Sequence, residues 1–196
     1  MVSSMAAPRS TGRDAPNVPR DPAGTYAPRM QEAVATTTSA TGGSATVVID
    51  ADASVVYELV SDVTGYGRFS PENRSARWLG GASGPEVGAR FRSWNRRGPL
   101  RWFTHCRVAT AEPGRTFAFT VVFPPPMPAT RWTYRLDTEG ARTRLEESWE
   151  LPKPLGPARR AMMRLFIGVQ DRPATLTAGA AETVARIREV CEAAKR

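Results

Sequence analysis

"DRPATLTAGAAETVARIREVCEAAKR", residues 171–196, decides how this chain folds. Asp171 is placed to cap a helix, and Pro173 is tolerated in its first turn, where no backbone N–H is needed. Leu176, Ala180, Val184, Ile187 and Cys191 then recur at spacings of three and four, so one apolar stripe runs down one side. A long amphipathic helix must bury such a stripe. What precedes it supplies the partner. Residues 157–170, "PARRAMMRLFIGVQ", read as helix and are apolar on nearly every face. Their middle, Met162 to Val169, carries two methionines that repack easily, the composition of a lid, with Gly168 and Pro173 marking a bend.

Upstream of that point the pattern is strand after strand. "SARWLGG" (75–81), "ARFRSWNRR" (89–97), "LRWFTHCRVATA" (100–111), "RTFAFTVVF" (115–123), "ATRWTYRLD" (129–137) and "RTRLEESWEL" (142–151) are separated by turn signals. These are Gly98-Pro99, Pro113-Gly114, three prolines at 124–126, and Glu139-Gly140. Further back, "ATVVIDA" (45–51) alternates as a strand does, and "DASVVYELVSDV" (52–63) opens on Asp52 as N-cap. Val55, Val56, Leu59 and Val60 follow at helical spacing. "TGYGRFSPEN" (64–73) allows only a short helical turn ending before Pro71. The expected fold is α+β: a seven-stranded antiparallel meander curved around a long C-terminal helix, with two short helices after the first strand.

Composition narrows the function. The chain has 196 residues, enough for one domain with a tail. Residues 1–44 are rich in Ala, Pro, Ser, Thr and Gly and are expected to be a disordered tail, with Met30 as an alternative start; the folded domain is expected over 45–196. Two cysteines, Cys106 and Cys191, and one histidine, His105, cannot build a four-ligand zinc site, so no metal is expected. Both cysteines read as small core hydrophobes. No apolar run of signal-peptide or membrane-spanning length is visible, which points to a cytoplasmic protein without membrane insertion. The net charge is +8, yet Lys153 and Lys195 are the only lysines among 27 basic residues. That imbalance fits codon bias better than selection for a polyanion partner, so nucleic acid is disfavoured.

"GARFRSWNRRGPLRW" (88–102) nonetheless interleaves five arginines with three aromatics, as a base-stacking strand would. Period-two alternation separates them. Arg90, Arg92, Trp94 and Arg96 share one face, and Phe91, Ser93 and Asn95 the other. The next strand continues the division, with Trp102 inward and His105 outward. The arginines should therefore lie on the solvated outer face. The inner face gathers Phe91, Trp102, Phe119, Trp132, Tyr134 and Trp149, together with two polar residues, Asn95 and Glu147. A buried carboxylate costs several kcal/mol, roughly, unless it is partnered or protonated. Glu147 therefore implies water, a hydrogen-bond partner or a ligand, unless it sits at a wet sheet edge or a bulge turns it outward. Glu72, after Ser70-Pro71, is a second candidate, or else an ordinary solvated loop carboxylate.

The order of elements is similar to the START/Bet v 1-like helix-grip superfamily. Within it the chain resembles the bacterial polyketide cyclase/dehydrase and lipid-transport group, also called SRPBCC. The resemblance is carried by "VYELVSDVTGYGRFSPE" (56–72), "GARFRSWNRRG" (88–98), "WFTHCRVATAEPGRTFAF" (102–119), "ESWE" (147–150) and "GVQDRPATLTAGAAETVARIRE" (168–189). It implies a cavity between sheet and helix that binds a small hydrophobic ligand of lipid, polyketide or aromatic type. The residues expected to line it are Phe91, Asn95, Trp102, Phe119, Trp132, Tyr134, Glu147, Trp149, Met163 and Phe166. A polyketide cyclase or dehydratase is the alternative, with Glu147, Glu72 and Tyr134 as candidate acids or bases. A ribosome- or RNA-associated regulator is the third. No cofactor is called for, and the oligomeric state is left open.

Overall fold

Eight antiparallel strands form one sheet in the computed structural model, in the order β1-β2-β8-β7-β6-β5-β4-β3. The structure describes residues 33–122, 130–151, 156, 157, 161 and 171–194. The strands are β1 (Ala35–Thr38), β2 (Gly42–Ile49), β3 (Asn73–Leu79), β4 (Arg90–Arg97), β5 (Leu100–Glu112), β6 (Thr116–Val122), β7 (Thr130–Glu139) and β8 (Arg142–Glu150). Helix α1 (Ala53–Ser61) and a 3-10 helix (Val63–Arg68) follow β2, and the long helix α2 (Arg172–Ala193) ends the fold. The chain is thus an α+β helix-grip protein, as its patterning implies.

Strand β1 corrects the sequence reading in two ways. The sheet has eight strands rather than seven, and order begins before Ala45. Ala35 pairs with Thr46 and Thr38 with Gly43, and β2 itself starts at Gly42. All four β1 residues are exposed, so no apolar alternation announces the strand; it is held by its backbone ladder. Residues 1–32 lie outside the described residues, as do the three prolines at 124–126 and the expected lid, Met162 to Val169, with Gly168.

Helix α2 grips the sheet through the stripe its spacing predicts. Leu176, Ala180, Val184, Ile187 and Cys191 are all buried. Asp171 caps it, its side chain accepting from Ala174 N at 3.1 Å. The closest approach is to β2. A Cβ on Gly43 would lie 2.8 Å from both Thr37 O and Trp149 Nε1, and nearer still to Thr177 Oγ1. Glycine is what lets the helix sit there. Trp149 Nε1 donates to Thr177 Oγ1 at 3.1 Å, tying β8 to α2 across that contact. In α1, Val56 and Val60 are fully buried, but Val55 is 45% exposed and does not join the core. Cys106 and Cys191 are buried and free.

The antiparallel ladder converts sequence spacing into neighbours. Glu139 pairs with Arg142 across the turn containing Gly140, whose φ of +64° suits glycine. The same register sets Tyr134 opposite Glu147 and Trp132 opposite Trp149. On its other side Trp132 faces Phe119. Of these, Phe119, Trp132, Tyr134 and Glu147 line one wall of a cavity roofed by α2.

Candidate functional site

Between the concave face of the sheet and α2 lies a cavity of about 660 Å³, a size suited to a small organic molecule. Trp102, Phe119, Trp132 and Tyr134 supply its aromatic walls, and Asn95 and Glu147 lie among them as their spacing implies. Ser70, Pro71 and Glu72 form part of the rim, and Arg172, Thr175, Leu176 and Gly179 line the helix side.

Two expected wall residues belong elsewhere. Phe91 is fully buried behind the wall, packed edge-on against Trp78 and Phe119 at centroid distances of 5.5 and 5.2 Å. Trp149 is also fully buried, in a second small cluster with Leu151 and Leu176. Alternation names the face of a strand correctly, but neighbours decide whether a residue on that face meets a cavity or packed side chains. Met163 and Phe166 lie outside the described residues.

The polar chemistry sits at two places. In the buried part, Tyr134 OH donates to Glu147 Oε1 at 3.0 Å. Glu147 is 4% exposed, and burial raises its carboxyl from the ordinary 4.5 to about 8, against the smaller opposing effect of the Tyr134 hydrogen bond. Near neutral pH the side chain is therefore mainly the uncharged acid. Burial also holds the Tyr134 and Tyr66 hydroxyls well above their usual range, with the Glu147 charge adding to it. Neither tyrosine ionises at physiological pH. The Cys106 thiol, also on the wall, is pushed up to about 12 by burial, which leaves it inert.

At the rim, Glu72 Oε1 pairs with Arg97 Nη2 at 2.6 Å, and Glu72 O accepts from Arg96 N at 2.8 Å. Glu72 is thus committed to an ion pair at the mouth and is not a partner of Glu147. Arg172, at the start of α2, lines the same space, and its Nη1 is buried without a hydrogen-bond partner among the described residues.

Three buried side-chain atoms are left unpaired among the described residues: Asn73 Oδ1, Glu147 Oε2 and Arg172 Nη1. All three residues line this one cavity. Buried polar atoms are nearly always paired, so three unpaired ones on residues that line one space are a sign that something polar belongs there. Asn73 and Arg172 carry no sequence signal as strong as that of Glu147. Asn73 sits beside a bulge in the β3–β4 ladder, with Nδ2 donating to Ser93 Oγ at 3.1 Å. For Arg172 there is a faint clue: a cation in the first turn of a helix opposes the helix dipole.

The arginine-aromatic stretch forms the other side of the same wall. Arg92 lies over Trp94 and Phe103 at 5.8 and 5.2 Å, and its Nε donates to His105 Nε2 at 3.0 Å. His105 is exposed on this outer face, away from the cavity. A groove there of about 670 Å³ runs past Ser75, Trp94, Arg101 and Phe103, and none of the unpaired atoms lines it. No described helix is long and apolar enough to cross a membrane, and no described cluster of acids, histidines and cysteines could hold a metal.

Comparison with known proteins agrees with this architecture. A family model described as polyketide cyclase/dehydrase and lipid transport matches residues 41–186. An aromatase/cyclase from Streptomyces sp. R1128 superposes with a TM-score of 0.60 at 17% identity, covering 83% of this chain and 96% of that one. A START superfamily protein from Mycobacterium smegmatis gives 0.57 at 16%, covering 78% and 97%. These two likenesses speak to the fold. A polyketide-cyclase-like protein from Corynebacterium glutamicum is 28% identical, with a TM-score of 0.52 over 82% of this chain and 93% of its own. No curated protein gives a significant match.

Proposed function

The chain belongs to the polyketide cyclase/dehydrase and lipid transport family, and on that premise we propose that it binds a small, oxygen-bearing hydrophobic molecule in the cavity under α2. The observation that carries this reading is that the three residues with an unpaired buried polar atom among the described residues, Asn73, Glu147 and Arg172, all line one aromatic-walled space. Aromatic area supplies affinity, and a few polar contacts fix orientation. A purely hydrocarbon ligand would leave those atoms unpaired, at a cost of about 1–3 kcal/mol each. A polyketide, a quinone-like ring system or a lipid with carbonyl and hydroxyl groups would pair them. Native mass spectrometry of protein purified without denaturant from its source organism tests this. A bound apolar compound with several oxygens supports the reading; a bound hydrocarbon without oxygen contradicts it.

A second reading, a cyclase or dehydratase, is favoured by one feature. Glu147 is a carboxylic acid on the cavity wall held uncharged near neutral pH, with Tyr134 fixing one oxygen and the other unpaired among the described residues. Such a group can protonate a ligand carbonyl or a departing hydroxyl, as a general acid does. Glu147→Gln separates the two readings. The amide keeps the shape and can still donate a hydrogen bond, so a carrier keeps its affinity. A cyclase keeps binding and loses turnover.

A further inference from the structure

The mouth of the cavity is built for more than the entrance of a neutral molecule. Arg172 stands at the first residue of α2, where the helix already presents its positive end. Burial disfavours its charge, Glu72 offsets part of that cost and Arg97 adds to it. Yet Glu72 is already engaged by Arg97. Asp171 is turned to its own helix, accepting from Ala174 N, and Glu182 pairs with Arg186. Arg74 and Arg96 also line the space, donating to Pro71 O at 3.3 Å and to Gly98 O at 3.0 Å. Among the described residues the rim therefore holds a surplus of cations, and half-buried Arg172 keeps a buried Nη1 without a partner.

We propose that this rim takes an anion carried by the ligand itself, so that the molecule bound is an amphiphilic carboxylic acid with Arg172 as its counter-cation. The proposal rests on the reading of the cavity as a ligand site and adds the class of ligand. A carboxylate matches the planar guanidinium fork. Phosphate would bring a second charge to a rim with one unpaired buried donor atom, which favours the monoanion. The apolar body then lies along Trp102, Phe119 and Trp132, and any carbonyl or hydroxyl it bears meets Glu147 and Asn73.

The test uses two probes of one shape, 1-pyrenebutyric acid and 1-pyrenebutanol, titrated by fluorescence into the whole protein. The acid should bind about ten-fold more tightly than the alcohol, a charge-assisted hydrogen bond in a buried site. In Arg172→Gln the acid should fall to the level of the alcohol, and in Arg172→Lys part of the preference should survive. The wild-type preference should also persist at about 0.5 M NaCl, since a buried pair is screened far less than an exposed one. This last measurement needs no variant and stands even where a substitution impairs folding. Equal binding of acid and alcohol by the wild type, or a preference undiminished in Arg172→Gln, overturns the proposal while leaving the cavity reading intact. Failure of both probes to bind tells against the cavity reading itself, and the present inference falls with it.

Discussion

Replacing Glu147 by glutamine should change how stability depends on pH, in a direction set by the burial of its carboxyl. Glu147 is 4% exposed, and its carboxyl is raised from 4.5 to about 8 by burial. In the unfolded chain the group returns to its ordinary value. Between those two pH values the folded protein keeps a proton that the unfolded chain has released. Folding therefore binds protons there, and stability falls as pH rises. Below the ordinary value both states are protonated and nothing is lost; above about pH 8 both are ionised and the loss levels off. The slope is about 1.4 kcal/mol per pH unit, so the loss reaches about 5 kcal/mol across the window. That is a large part of the stability of a domain of this size, and corresponds to roughly 15 °C in melting temperature. In Glu147→Gln the side chain cannot ionise, while its amide oxygen still accepts from Tyr134. Urea unfolding of both proteins from about pH 5 to pH 9 isolates the effect, because every other titration cancels in the difference. The variant should be the more stable one, by a margin that opens steadily as pH rises. Parallel curves would refute the reasoning and mean that Glu147 is solvated enough to ionise in the fold.

Trp132→Ala should weaken pyrenebutanol about ten-fold or more through lost contact area, as read by fluorescence titration. Asn95→Leu, by contrast, should weaken oxygen-bearing probes and spare pyrene itself; Asn95 is half-buried on the wall, and among the described residues its side chain makes one long contact, Nδ2 donating to Thr104 Oγ1 at 3.5 Å. Gly43→Ala should cost about 1–3 kcal/mol in urea unfolding, because the new Cβ drives into Trp149 and Thr177 where α2 meets β2. An unchanged midpoint would mean that the grip is looser than the structure has it.

The patterned parts of the fold are legible in the sequence alone. The α2 stripe is buried at every position its spacing names, and the six strands after α1 fall within two residues of where turn residues bound them. Glu147 opposite Tyr134 follows from the hairpin turn at Gly140, since antiparallel pairing counts outward from it. β1 is hidden because an edge strand exposed on both faces needs no apolar residues. Alternation puts Phe91 and Trp149 on the right face, but there they are packed under neighbouring side chains and do not line the cavity. Sheet curvature sets Phe91 behind Phe119, and the approach of α2 covers Trp149 through Thr177. Arg172 escapes the sequence reading for a similar reason. The direction of a first-turn side chain depends on what the helix packs against, and that is decided only when the sheet is assembled.

The central claim, that ligand binds on the concave side under α2, has a direct test in the five tryptophans. Trp132 lines the cavity, Trp94 lies on the outer face, and Trp102 borders both spaces. Indole N–H resonances, assigned through single Trp→Phe variants, can be followed by NMR as pyrenebutanol is added. The account predicts that Trp132 shifts most, Trp102 shifts with it, and Trp94 stays where it is. Shifts at Trp94 with Trp132 silent would place the ligand on the arginine face and contradict it.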